Sequence, residues 1–472
     1  MFRLILALER RLFLFAPAGL SLAVLIAVLT VAAIATGRHV QQQTASAQAE
    51  FVREHQADLA EWREELVKIE TSDEPPEPYA ARPMNIRLPA VLPPAALAEF
   101  AVGSNDLHPT MAVLRGWVNP TDLFDEYEFA NPTVLGGKGF DLTFLVIVLL
   151  PLAMIAASFD IAASERESGR ARLIAVQAGE IGRSIWLRLV VRNAMVWLVW
   201  IVVVSLGVVG WGVGPNRPDR LIDFVVWLGV ALAYGGFWFV GIAAANAVFA
   251  RGETVAAALF SSWVVFVFVV PAVGGALAEA THPPPSRLAF LSEMRQGKVT
   301  AIRETADLTK GYLADHPELT VSPDAVPEYF RTNYLANVEA AKRTTPILEA
   351  FAESRAAREL VVRRFEFLSP ALMAHRVLTA IAGNDVARYQ AFQTQARAGL
   401  EDLSARIGPA VVSKRRLSVA EFDEIPGFEF RERDRAEKLK EHALPLGVLI
   451  AATLGLLGLA RNRLRAPLER LL

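Results

Sequence analysis

Cysteine is absent from the 472 residues, so the chain holds no disulfide and no Cys-based metal or redox site. Charge is also absent, but only in blocks. Six stretches contain no Asp, Glu, Lys or Arg: about Leu12–Gly37, Leu142–Phe159, Asn193–Asn216, Phe224–Ala250, Thr254–Ala278 and Ala443–Ala460. Each is long enough to cross about 30 Å of hydrocarbon at about 1.5 Å per residue. Motifs for nucleotide chemistry and hydrolysis are missing too. No GxxxxGK[ST] occurs, and the nearest run, GGKGF (136–140), lacks the spacing and the hydroxyl that cradle phosphate and Mg²⁺. Neither HExxH nor GxSxG is present. The seven histidines, His39, His55, His108, His282, His316, His375 and His442, show no close pairing suited to zinc or copper. A membrane-anchored enzyme is therefore disfavoured. A net charge of −2 argues against a nucleic-acid partner.

What the chain does contain is apolar surface. Hydrophobic residues make up 53%, above the roughly 45–50% of a soluble protein, and the excess sits in the six blocks. The first block follows Arg10 and Arg11 and resembles a secretory signal, and VAAIATG mimics a cleavage site. Its apolar core is longer than the ~7–15 residues of a signal peptide, so an uncleaved anchor helix is expected.

Cations set the orientation. Arg3, Arg10 and Arg11 precede the first block, while Arg166, Arg170, Arg172, Arg183 and Arg188 fall between the second and third. Arg251 lies between the fourth and fifth, and Arg461, Arg463, Arg465 and Arg470 follow the sixth. Six spans bring all four clusters to one side, which the positive-inside rule makes cytoplasmic. The expected fold is an all-α polytopic membrane protein with six transmembrane helices and both termini inside. Residues 1–37 hold the N-terminus and first span, and 38–141 the first extracytoplasmic domain. Spans two to five occupy 142–278 and carry a cytoplasmic loop, 160–192. A second, helical extracytoplasmic domain covers 279–442, and 443–472 the sixth span and C-terminus.

The outer segments read as mainly helical. Phe51, His55, Leu59, Trp62, Leu66 and Ile69 form one stripe, so the first span continues outward as an amphipathic helix until the prolines of SDEPPEPYAARP (72–83). Ser286–Leu319 and Pro327–Phe365 carry apolar residues at helical spacing. Residues 368–403 read as two helices broken at Gly383, with Ser369 as a cap and Pro370 in the opening position. FDEIPGFEF (422–430) reads as a turn or short extended segment.

No acidic or basic residue lies mid-span, which weakens a proton-coupled transporter reading. Asn193, Tyr234 and Asn246 are read as interhelical hydrogen-bonding groups, and Gly210 with Gly214 forms a weak GxxxG. The chain thus has transporter-like architecture without an energy source. The crowded stretch SFDIAASERESGRARLIAVQAGEIGRS (158–184) is where a partner would supply one. It mixes both charge signs with Leu173, Ile174 and Val176, and Gly169, Gly179 and Gly182 would bound a short helix on the membrane surface. An apolar patch rimmed by charge suits docking into another protein. The residues alone fit equally well a solvated loop whose arginines only set topology.

Residues 140–179 resemble the second helix and following loop of ABC transporter permeases of the type-2 exporter class. Their Glu-Arg-Glu-x-Gly run is matched by Glu165, Arg166, Glu167 and Gly169. Arg170 stands where Thr is usual, and Ala178-Gly179 replaces a common Pro. LPPAALAEFAVGSNDLHP (92–109), NPTVLGGKGFDLTF (131–144) and LSPALMAHRVLTAIAGNDVARYQAF (368–392) are similar to a subgroup with enlarged extracytoplasmic domains. Those proteins are often described as permeases of multi-copper enzyme maturation systems.

The resemblance implies a permease subunit in a bacterial inner membrane, paired with a second copy or a similar permease. Glu165, Arg166, Glu167, Gly169, Arg170 and Leu173 would then couple it to a cytoplasmic ABC ATPase. ATP and Mg²⁺ would bind in that partner, with no cofactor in this chain. An envelope protein at the outer domains is a further expected partner. The alternative is an ATPase-coupled mechanotransmitter that acts through its periplasmic domains without transport.

Overall fold

One proline and one glycine shape the start of the chain. The computed structural model describes residues 2–15, 17–73, 77, 79–102, 109–116, 123, 139–167, 181–210, 218–283, 292–293, 295–297, 299–300, 303–304, 314–315 and 328–464. Helix α1 covers Phe2–Phe15, and Pro17 opens α2, Pro17–Thr71. Proline suits a first helical turn because its missing N–H would be unpaired there anyway. Gly19 lets α1 fold back on α2, since a Cβ there would collide with the backbone of Phe13. The first apolar block is thereby divided: Leu12–Phe15 end α1, and the span begins at Pro17. As expected from its stripe, α2 continues as one 55-residue helix, about 80 Å long, to the proline-rich break.

The other spans are α3 (Leu142–Arg166), α4 (Ile181–Gly210), α5 (Pro218–Val248), α6 (Gly252–Thr281) and α11 (Arg435–Leu464). With α2 they make six helices long and apolar enough to cross a membrane, in agreement with the six blocks. Between α6 and α11 lie α7 (Glu328–Glu366), α8 (Pro370–Ala382), α9 (Val386–Val412) and α10 (Val419–Asp423). Of the stretch 286–319 only scattered residues are described.

Two apolar cores result. The larger joins the spans through residues such as Ile34, Leu145, Trp200, Trp227, Ile242 and Leu259. The smaller gathers Trp62 and Leu66 of α2, Tyr334 of α7 and the α9 stripe Phe392, Ala396, Leu400, Leu403 and Ile407. One element departs from the all-α expectation. Strands β1 (Arg87–Val91) and β2 (Met111–Arg115) pair antiparallel, Arg87 opposite Arg115 and Val91 opposite Met111. Leu88, Ala90, Ala112 and Leu114 alternate inward against the smaller core, the period-two pattern of a half-buried ribbon.

Residues 368–403 form two helices as their sequence predicts. The Ser369 hydroxyl accepts from Leu372 N, Pro370 opens α8, and Gly383 closes it at φ +78°. Position is the surprise. Met373, Ala374, Val377 and Leu378 of α8 join the larger core among the spans, although the chain on either side belongs to the smaller one. The stretch 422–430 begins as the end of α10 and then loses regular structure.

Candidate functional site

The arginine-rich end of the bundle is held by a buried ion cluster. On α4, Arg188 and Arg192 are four residues apart and share one face. Glu9 of α1 is fully buried between them, its Oε1 accepting from Arg188 Nε at 2.5 Å and its Oε2 from Arg192 Nε at 2.7 Å. Arg188 also donates to Glu165, near the end of α3. Arg192 donates to the Ala157 carbonyl at 3.0 Å and pairs with Asp160 at 3.6 Å. Two cations thus face three carboxylates contributed by two other helices. Buried ions cost several kcal/mol each to desolvate, so removing one partner of such a set is far more damaging than its net contribution suggests.

Beside this cluster α3 breaks at Phe159–Asp160. A helix break at membrane depth exposes backbone groups that must find partners inside the protein. Asn246 of α5 supplies them: its Oδ1 accepts from Ala162 N at 3.1 Å, and its Nδ2 donates to the Ser158 carbonyl at 3.2 Å. Asn193 of α4 donates to the Ser158 hydroxyl at 2.9 Å. After the break, Arg166 donates to the Phe249 carbonyl at 2.8 Å, where α5 ends and its carbonyls lack helical partners.

Asn193, Tyr234 and Asn246 therefore make the interhelical hydrogen bonds that the sequence suggested. Tyr234 donates to the Ile147 carbonyl at 2.9 Å. That carbonyl lies one turn before Pro151, which has no N–H to offer it. A five-residue π-turn, Leu145–Leu149, precedes the proline, and Trp263 Nε1 donates to the Val148 carbonyl of the same turn at 3.0 Å.

The six residues read as coupling groups divide as follows. Glu165 is buried and engaged by Arg188, and Arg166 is half-buried on the end of α5. Glu167 closes the described helix of the 161–167 segment, with its side chain outside the described residues. Gly169, Arg170 and Leu173 also lie outside the described residues. Glu9 and Arg192 carry the cluster and were not identified from sequence. The available signal was that Glu9 is the sole carboxylate before Glu50 and sits among three arginines. Among the described residues no group of three or more His, Asp or Glu is arranged to hold a metal.

At the opposite end, α8 and the α8–α9 turn lock onto the segment 93–101. Asn384 Nδ2 donates to the carbonyls of Ala98 and Ala101 at 2.8 and 2.6 Å. Buried Arg388 donates to Pro93 O at 2.6 Å and Gly383 O at 3.1 Å and pairs with Glu432. Phe100 stacks edge-on against Trp227 of α5 at 4.9 Å, and Thr143 of α3 donates to the Phe100 carbonyl at 2.9 Å. Below this junction the Ser369 hydroxyl donates to the Phe266 carbonyl at 2.5 Å. Phe266 belongs to a second π-turn, Val265–Val269, again followed by a proline, Pro271. Burial pushes the Asp385 carboxyl up, against the pull of Arg433 and Lys438.

Residues 287–431 match a domain of unknown function, DUF3526. No curated protein and no solved structure matches the chain. The DUF3526 region therefore includes α7, α8, α9 and α10, and its α8 lies among the spans. Two of the motifs singled out in the sequence, 92–109 and 368–392, meet at this junction through Asn384 and Arg388.

Proposed function

We propose that this chain is the membrane-spanning subunit of an ATP-driven ABC transporter, dimeric and coupled to a separate ATPase through the segment after α3. The observation that carries the reading is the ion cluster where that segment leaves the membrane core. Residues 168–180 connect α3 and α4, and Glu165, Arg188, Glu9 and Arg192 tie the ends of both to α1. A force applied there by an ATPase passes to three helices through charged contacts instead of dissipating in one loop. Glu165 then acts as the anchor of the coupling segment, while Glu167, Gly169, Arg170 and Leu173 meet the ATPase. The energy comes from ATP and Mg²⁺ in the partner, and the membrane is a bacterial inner membrane with both termini inside.

The test separates anchor from contact. The double variant Glu167→Lys/Leu173→Asp should lose co-purification with a co-expressed ABC ATPase that binds the unaltered chain, while inserting and melting normally. An intact complex with intact ATPase coupling would sink the proposal.

A second reading, an ATPase-coupled mechanotransmitter that moves no cargo, is favoured by one observation. Ser369 joins the DUF3526 region to the middle of α6, so motion of the spans reaches the opposite end directly. Reconstituted vesicles discriminate: cargo flux supports transport, whereas hydrolysis that responds to an envelope partner without flux supports transmission.

A further inference from the structure

The turn between α7 and α8 has the wrong surface for water. Phe367 and Leu368 are 40% and 60% exposed, and they occupy a turn where a soluble domain would place small polar residues. Its depth explains this. A Cβ on Gly274 of α6 would stand 3.1 Å from the Cβ of Phe365, whereas Ser369 donates to Phe266. Gly274 and Phe266 are about 12 Å apart along a helix, so the chain descends by that distance over four residues. Phe266 is close to the midpoint of α6, and Phe367 and Leu368 are therefore presented beside the apolar flank of a span. Phe268 and Val273 of α6 are each 50% exposed there, extending the same apolar belt.

Just above the belt stands a cation. Arg363 pairs with Glu441 at 3.5 Å and Arg376 with Glu366 at 2.6 Å, but exposed Arg364 has no hydrogen bond or ion pair within the chain among the described residues. It sits level with Gly274, and a long side chain at that height reaches the polar layer by snorkelling. An apolar wedge with an unpaired guanidinium above it matches the layering of a phospholipid, acyl chain below phosphate.

We propose that the α7–α8 turn is a lipid-inserted wedge, with Phe367 and Leu368 among acyl chains and Arg364 on a phospholipid headgroup phosphate. The DUF3526 region is then gripped by the bilayer as well as by the spans. This claim does not depend on the ATPase reading.

The absence of cysteine makes the test direct. Full-length Leu368→Cys and, as a control high on α7, Glu353→Cys are labelled with bimane in nanodiscs of phosphatidylcholine and phosphatidylglycerol. Leu368→Cys should be quenched several-fold more by 12-doxyl lipid than Glu353→Cys. Quenching by aqueous iodide alone overturns insertion. Quenching by neither overturns it too, by showing a protein surface over the wedge. Phe367→Cys serves if Leu368→Cys does not fold. Arg364→Gln should retain several-fold less phospholipid in native mass spectrometry at an unchanged melting temperature; unchanged retention overturns the headgroup contact.

Discussion

Glu9 Oε2 on α1 lies 2.7 Å from Arg192 Nε on α4, a pairing across 183 positions of sequence. It fixes a short helix that buries only one edge of itself, with Phe13 as the apolar partner of Glu9 on the same face. Arg10 and Arg11 remain exposed beside it, so the buried charge that sets packing and two exposed cations are neighbours in sequence.

Glu9→Ala removes the buried carboxylate that Arg188 and Arg192 share, leaving the Nε–H of each without its acceptor, and should cost about 3–5 kcal/mol. Arg192→Ala should be similarly harmful. The double variant should be less harmful than the sum of the two, with a coupling of about 0.5–3 kcal/mol. Thermal unfolding in detergent measures all three, and strict additivity would refute the cluster as a unit.

Ser369 serves two helices at once. Its hydroxyl accepts from Leu372 N to cap α8 and donates to the Phe266 carbonyl of α6. Ser369→Ala removes both and should destabilise by about 1–3 kcal/mol, whereas Ser369→Thr should retain most of the stability. Thermal unfolding in detergent should separate the alanine variant from the threonine variant.

Gly383 is held at φ +78°, and a Cβ there would also collide with Ala95. Gly383→Ala pays the left-handed penalty of about 1–2 kcal/mol and must in addition displace the 93–101 segment. Gly383→Asn, which tolerates the conformation better, should not recover stability if the collision dominates. Parallel melting curves decide which of the two effects is larger.

Acid should loosen α10. Hydrogen bonds from Arg415 at 2.7 Å, helped by the Ser418 backbone, hold the Glu421 carboxyl down to about 2 from its ordinary 4.5. A carboxylate whose folded pKa is depressed stabilises fully above its unfolded value and loses that contribution as the folded value is approached. Hydrogen exchange across 415–425 should therefore rise as pH falls from about 4.5 toward 2, beyond the intrinsic acid trend. Glu421→Gln should abolish that pH dependence.

The parts that could be read in advance share one property: their signal is local and repeated. Six uncharged blocks mark six spans because hydrocarbon penalises each charge independently. The α2 stripe, the Ser369-Pro370 opening and the Gly383 stop are likewise written within a few residues of where they act. The β1–β2 ribbon was not anticipated, because two five-residue strands separated by 19 residues carry too short an alternation to be distinguished from loop. Of the residues proposed to couple, the burial of Glu165 and Arg166 was not legible in the sequence, since it depends on Arg188 and on the end of α5.

Sequence by itself determined that the chain is built around six apolar helices and that nothing in it matches a nucleotide-binding motif. The helices outrun the uncharged blocks, however: α4 starts at Ile181, ahead of Asn193, and α11 at Arg435, ahead of Ala443. Tertiary structure alone decided which polar groups meet. Pro151 and Pro271 each remove a donor, but only the fold shows that Tyr234 and Ser369 answer the carbonyls left nearby. The same holds for α8. Its composition suits a buried helix in any apolar surroundings, and its place among the spans follows from long-range contacts, Ser369 with Phe266 and Asn384 with Ala98, that no local pattern encodes.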